Sequence, residues 1–254
     1  MHGIDWNKTA LIAGILASVA NVVLVLLVWL TLREMANQRK SAYRPDIVLV
    51  SPALHIYWKK EGHNLSLPYF STLMDRNNFD DPASLFDGYV EVFNVGLGTA
   101  KAVNFAWSFD IDDLVQWIQG ANSTEVFQID YKPSTYLHFE TKQGGSISQV
   151  MSLNHSYTYL LPTHVQVDAA KIPLPSVYLL VGAAGLYLQW LNGDLLNMPA
   201  GFLPALTLKA SYTDIGKNTH EKCFSFQPQL GHFSEGQGKE QILKALILFE
   251  ASET

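Results

Sequence analysis

The sequence predicts an N-terminal transmembrane helix joined to a mainly-β (α+β) domain, an antiparallel β-sandwich with one or two packed helices. Three observations carry this. Thr9 to Leu32 is a run of two dozen residues without a charged side chain. Cations gather directly after it, at Arg33, Arg39, Lys40 and Arg44. Beyond them come many short stretches rich in β-branched and aromatic residues, punctuated by Gly, Pro, Asn and Asp. That is the pattern of strands and turns.

At 1.5 Å per residue, the apolar run makes a helix about 36 Å long, enough to cross a hydrocarbon core of about 30 Å. Only Ser18, Asn21 and Thr31 interrupt it. A buried core helix of this length, apolar on every face, is unusual in a domain of this size. A cleavable signal is the other alternative, because Ser18-Val19-Ala20 has cleavage-like spacing. Cutting there would leave an exposed apolar terminus, and the run is about twice the usual signal length. The expected layout is a short extracytoplasmic N-terminus (1–8), the span (9–32), a basic juxtamembrane helix (33–45) and a domain over 46–254.

Orientation follows from the cations, which resist translocation and keep the C-terminal side in the cytoplasm. The expected location is a bacterial inner membrane, crossed once, with the N-terminus outside. Cys223 is the only cysteine, so no intrachain disulfide forms, as is usual in a reducing compartment. Against this stand glycosylation sequons at Asn64, Asn122 and Asn154, with another at Asn7 before the span. Such triplets recur by chance, and the charge asymmetry outweighs them.

Within the span, Ala10, Gly14 and Ser18 recur every four residues, as do Ala13, Ala17 and Asn21. Small residues at this spacing let two helices approach closely in lipid, and the Asn21 amide can hydrogen-bond across the contact. Ala10, Gly14, Ser18 and Asn21 are therefore candidates for helix pairing and a homo-oligomer. The helix should continue to just before Pro45, since the residue preceding proline is pushed out of the helical region.

Charge then changes sign. Residues 1–45 carry five Lys/Arg against two Asp/Glu, whereas 46–254 carry twelve against twenty-one. An acidic domain on a basic stalk is repelled from anionic membrane and from nucleic acid alike, and no basic stripe offers nucleic acid a binding surface.

Strands are expected at 46–51, 88–95, 100–109, 125–131, 135–140, 146–151 and 157–161. The clearest alternation sets Val103, Phe105 and Trp107 against Asn104, Ala106 and Ser108. Two helices interrupt the strands. The first, 111–119, opens on Asp112 and Asp113 and stops at Gly120. The second, 175–192, is apolar for about 15 residues and stops at Asn192-Gly193. It is too short and too poor in flanking cations for a second span, so burial on the sandwich is expected. The tail, 237–249, reads as a closing strand or helix whose Ala245–Phe249 run is buried.

Two turns sharpen the fold. Asn94-Val95-Gly96-Leu97-Gly98-Thr99-Ala100 joins two strong strands, with Gly96 or Gly98 expected at positive φ. Leu206–Tyr212 and Thr219–Phe226 flank a second turn, Thr213–Asn218. The first motif, followed by an alternating strand, resembles the hairpin of immunoglobulin-like, cell-adhesion-related bacterial sandwich domains. With the anchor and the basic stalk, the layout is similar to uncharacterised bacterial single-pass membrane proteins carrying such a domain. The resemblance covers some 40 residues and implies fold, not activity; Asn94, Gly96 and Gly98 are structural.

No motif of catalysis stands out. Gly96 and Gly98 enter a strand, whereas a phosphate loop enters a helix, and no Lys-Ser/Thr pair follows. Paired cysteines, a His-Glu-x-x-His run and a Gly-x-Ser-x-Gly elbow are missing from the sequence. Asp110-Ile111-Asp112-Asp113 lacks the glycine and distal glutamate of a calcium loop and reads as helix capping. His220 and Cys223 are three apart on an expected strand and so face opposite ways; His138 and Glu140 share a face. The expectation is a non-enzymatic, cofactor-free, membrane-anchored module that binds proteins or serves as a sensor or accessory subunit. Its partners would be membrane lipid through the anchor, a second copy and another protein. The alternatives are a membrane-perturbing effector that inserts 175–192, and an enzyme with an unrecognised site.

Overall fold

The computed structural model describes residues 6–61, 64–72, 86–121, 126–133, 135–141, 145–150, 152–193, 203–235 and 241–253. The chain opens on α1 (Trp6–Ala42), a single helix of 37 residues. It then enters β1 (Ile47–Val50), β2 (Ala53–Glu61), β3 (Asn64–Leu65), β4 (Tyr69–Ser71), β5 (Phe86–Asp87), β6 (Tyr89–Asn94) and β7 (Ala100–Ser108). The helix α2 (Asp112–Ala121) precedes β8 (Phe127–Lys132), β9 (Tyr136–Thr141), β10 (Gly145–Val150), β11 (Asn154–Leu160) and β12 (Ala170–Pro173). Last come α3 (Ser176–Leu191), β13 (Leu206–Thr213), β14 (Thr219–Glu235) and β15 (Gln241–Glu253).

The described residues are thus mainly β, with three helices among them. Among the described residues the strands form three sheets. A large one has the order β11-β7-β13-β14-β15-β2-β4-β5 with β3 beside β2; two small ones have the orders β1-β6-β12 and β10-β9-β8. The strand pairs are antiparallel except β4 with β5.

Alternation sets which face is buried. In β7, Val103, Phe105 and Trp107 point into the core while Asn104 and Ser108 face out. In β2 the same period buries Leu54, Ile56 and Trp58. That strand was not among those expected, although Leu54-Ile56-Trp58 against His55 and Lys59 carries the signal. The second turn holds as a hairpin, because β13 pairs with β14 from Thr213↔Thr219 to Leu206↔Phe226.

The first turn does not. β6 lies between β1 and β12, whereas β7 lies between β11 and β13 in the large sheet. Residues 95–99 therefore carry the chain from one sheet to another. The strong strands on either side looked like partners because alternation records a buried face and not the neighbour.

α3 lies at the centre of the core. Val177 to Leu188 is buried without a break. The helix is hemmed in by rings from several elements. Tyr178 meets Phe109 at 5.4 Å, and Tyr187 meets Phe127 at 5.5 Å and Trp58 at 6.3 Å. Trp190 stacks on Phe233 at 6.4 Å. Apolar residues on all sides suit a helix enclosed between sheets, so it does not form a second span here. It begins after Pro175 and ends where Gly193 takes φ +74°, a conformation glycine adopts without strain.

α1 is the opposite case. Its stretch Gly14–Arg39 holds an 18-residue window of mean hydropathy 2.6, and none of that window is buried. Among the described residues one helix is long and apolar enough to cross a membrane, and none of its described side chains is buried in the core.

Candidate functional site: the junction of helix and domain

The helix ends where its last turn meets the domain. The Tyr43 N–H still donates to the Arg39 carbonyl at 3.0 Å. Pro45 then stops the helix and is itself buried. From Tyr43 to Asp46 the backbone lies directly on the loop after β6. A Cβ on Gly98 would collide with the Tyr43 carbonyl oxygen, and one on Gly96 with the Arg44 carbonyl oxygen. Neither glycine has positive φ; the positive-φ glycines among the described residues are Gly145 and Gly193. The expectation of a left-handed turn is thus corrected. These positions are glycine because the stalk passes too close for any side chain.

Asn94 ties the contact together from a buried position. Its Oδ1 accepts from the Asp46 N–H at 3.0 Å and the Gly96 N–H at 3.2 Å. Its Nδ2 donates to the Gly98 carbonyl at 2.7 Å and the Leu160 carbonyl at 3.0 Å. One side chain thus bonds the stalk, the crossing loop and the end of β11. The Val95 N–H adds a bond to the Asp46 carbonyl at 2.8 Å.

A second clamp comes from β14. Lys222 Nζ lies 2.7 Å from Asp46 Oδ1, 3.1 Å from Glu253 Oε1 and 3.1 Å from the Ile47 carbonyl. Burial opposes charge on this amine. Its bonds to Asp46 and Glu253 outweigh that and hold its pKa above the ordinary lysine value.

The β13–β14 turn completes the junction. Asp214 is buried there and accepts from the Asn218 N–H at 2.9 Å and the Asn218 side chain at 2.8 Å. His220 Nε2 lies 3.0 Å from Asp214 Oδ2, the oxygen that also accepts from the Asn218 side chain. The Asn218 side chain foremost, then His220, hold the carboxyl well below the usual range. Tyr212 stacks on His220 at 5.4 Å. Between this turn and the end of α1 is an open cleft of about 330 Å³, lined by Arg39, Tyr43, Asp214, Ile215, Gly216 and Asn218.

The pairing candidates lie away from the domain. Gly14 has open space where a side chain would be. Ser18 Oγ bonds back to the Gly14 carbonyl at 2.9 Å, so its hydroxyl is satisfied within the helix. Asn21 is exposed on α1. Ala10 is on the same helix, with its surroundings outside the described residues.

The remaining polar residues do not converge. His138 Nε2 is 3.9 Å from Glu140 Oε2 on the exposed face of β9, and Nδ1 is 2.8 Å from Ser148 Oγ. Asp110 Oδ1 accepts from the Asp112 N–H at 3.2 Å, a helix-start contact. Among the described residues no three His, Cys, Asp or Glu side chains gather as a metal site. Of the sequons, Asn154 is exposed at the start of β11, Asn64 is in β3 and Asn7 is on α1, while Asn122 lies outside the described residues. Sequence reasoning missed Lys222, Asp214 and His220 as junction residues. Lys222 meets Asp46 from 176 positions away, which only folding brings about, while Asp214 and His220 are six apart and are turned together by the β13–β14 hairpin. No family model, curated protein or solved structure matches the chain.

Proposed function

We propose that the protein is a membrane-anchored, non-enzymatic module that binds protein or serves as a sensor or accessory subunit. The domain works at the cytoplasmic face of a bacterial inner membrane, with the N-terminus outside. The observation that carries this reading is the junction. One unbroken helix leaves an exposed apolar stretch and enters the domain through a buried asparagine, two glycine contacts and a lysine clamp. A flexible tether would only hold the domain near the bilayer. A helix bonded into the fold also passes on its own displacement, which suits a device reporting between membrane and partner.

Several features support the rest. Arg33 lies over the Trp29 ring at 5.6 Å, an aromatic–cation pair suited to a headgroup boundary. The small residues Ala10, Gly14 and Ser18, with Asn21, give the span a pairing face for a second copy. The immunoglobulin-like sandwich and its bacterial relatives belong to the same proposal. In its favour, β12 of one small sheet lies on β7 of the large one, with Trp107 Nε1 donating to the Pro173 carbonyl at 3.0 Å. The effector alternative would require α3 to leave a core that buries twelve consecutive residues of it.

Labelling of cells tests the topology. With Cys223→Ser in place, a cysteine at position 7 should react with a membrane-impermeant maleimide on intact cells. Cys223 in the parent should react only after permeabilisation and unfolding. Reaction of Cys223 on intact cells would reverse the orientation and make Asn154 an accessible sequon. Purification of the full chain in mild detergent should recover a second copy or a stoichiometric protein partner; a lone monomer would contradict the binding role.

A further inference from the structure

We infer that the end of the domain around the α1 exit is a second membrane-contacting surface, seating the domain on anionic headgroups of the bilayer that α1 crosses. The inference rests on the reading of α1 as a span.

Three loops converge on that end. Residues 95–98 lie against Tyr43–Asp46. The turn at 162–167 adjoins them, because the Thr163 N–H donates to the Asn94 carbonyl at 2.9 Å and Asn94 bridges Pro162. The β13–β14 turn shares its cleft with Arg39 and Tyr43. All three loops present large apolar side chains to solvent: Leu97 at 55%, Val165 at 61%, Val167 at 84% and Ile215 at 55% exposure. Tyr43 and Val95 are exposed beside them. Among the described residues of the domain, five of the ten exposed large apolar side chains lie at this one end, with Tyr43 of the stalk beside them. Three separate loops placing apolar tips around a helix that is itself apolar and uncovered suggests one continuous apolar environment.

Charge points the same way. Arg39, Arg44, Lys101 and Lys217 are exposed at this end. With Lys222, the cations named at this end number five against the four carboxylates Asp46, Asp168, Asp214 and Glu253, so the end carries a small positive excess. In a domain with twenty-one acids against twelve Lys/Arg, this end thus lacks the acidic excess of the rest and turns the exposed Arg39, Arg44, Lys101 and Lys217 toward the membrane. Anionic headgroups attract such a face, and a protein surface of the domain's own sign does not.

The reach is sufficient. From Leu32 to Tyr43 α1 extends about 16 Å, whereas the headgroup layer is about 5–7 Å thick. An upright helix would hold the loops just clear of it. The apolar run of about 36 Å exceeds a core of about 30 Å, however, and excess length is taken up by tilt. Tilt lowers one side of the domain onto the headgroups, and the side proposed is that of Ile215 and Lys217.

The test uses the full chain with Cys223→Ser, reconstituted in vesicles carrying a trace of nitroxide-labelled lipid. The vesicles are phosphatidylcholine alone or equal parts phosphatidylcholine and phosphatidylglycerol. Environment-sensitive labels are placed one at a time through Ile215→Cys, Leu97→Cys, Val22→Cys within α1, and Val150→Cys. Val150 is exposed at the opposite end, where β10 runs toward Ser176. The expected result is quenching at 215 and 97 several-fold stronger than at 150, larger with phosphatidylglycerol and reduced by high salt. Quenching at 22 with 215 and 97 no stronger than 150 would overturn the seat and leave the anchor standing. Absence of quenching at 22 would overturn the anchor itself. Equal quenching in both lipids would overturn the role of the cations. Labels at 215 and 97 shielded from aqueous iodide yet untouched by lipid nitroxide would mean that protein, such as a second copy, covers this end; that too overturns the seat.

Discussion

Asp214 shows how a single side chain can organise the junction. It is buried, and its carboxylate is satisfied by Asn218 and His220. Because the folded pKa is depressed, the stabilisation is present above the ordinary carboxylate range and is lost as pH falls through the folded value. Melting of the full chain in detergent should therefore fall on acidification below about pH 4. Asp214→Asn should flatten this acid dependence and cost about 1–3 kcal/mol at neutral pH. Identical pH profiles would remove Asp214 as a structural group. The glycines make a second comparison. Gly98→Ala must displace the Tyr43 backbone and is expected to cost at least about 1–3 kcal/mol. Gly120→Ala, on α2 with open space around it, should instead gain about 0.5–1 kcal/mol. Equal effects would mean that the stalk does not rest on the loop.

Among the elements, α1 and α3 are both apolar helices with opposite fates. α3 is enclosed, so Leu180→Ala leaves a cavity and should destabilise the protein by about 2–5 kcal/mol in thermal unfolding. A much smaller loss would mean a loosely packed helix, one more easily released as the effector alternative requires. α1 has no protein around its described apolar residues, and under the proposed topology lipid or another copy covers them. Gly14→Ile should weaken self-association in a membrane reporter, because a branched side chain holds the helices apart. Asn21→Leu should weaken it by about 0.6–2 kcal/mol through the lost interhelical hydrogen bond. Unchanged association in both variants would make α1 an anchor alone.

At the scale of the whole molecule, the helix and the domain meet through a built joint. The chain enters the domain between the crossing loop and β14, and Lys222 links the start of β1 to the end of β15. Both ends of the folded region are thereby held at the same place, beside the α1 exit. A force applied along the span reaches β1, β14 and β15 together. The cysteine topology experiment belongs to this scale, since one labelled position on each side of the membrane decides which compartment that joint faces.

Much of this was determined by local pattern. The apolar run, the stop before Pro45, most strands and both domain helices follow from periodicity, proline and glycine chemistry, which act over a few residues. Gly96, Gly98 and Asn94 also stood out as structural positions, but for the wrong reason. Sequence shows that a glycine is required somewhere and does not show whether the demand comes from its own φ or from a chain passing over it. Only the tertiary structure decided that the stalk is what passes there, and that β6 and β7 lie in different sheets. It also supplied the Lys222 clamp and the Asp214–His220 contact. The Lys222–Asp46 pairing depends on closing a long loop, and nothing in the residues near Lys222 marks Asp46 or Glu253 as its partners; Asp214 and His220 are six apart, and there the structure supplied the hairpin that turns them toward each other.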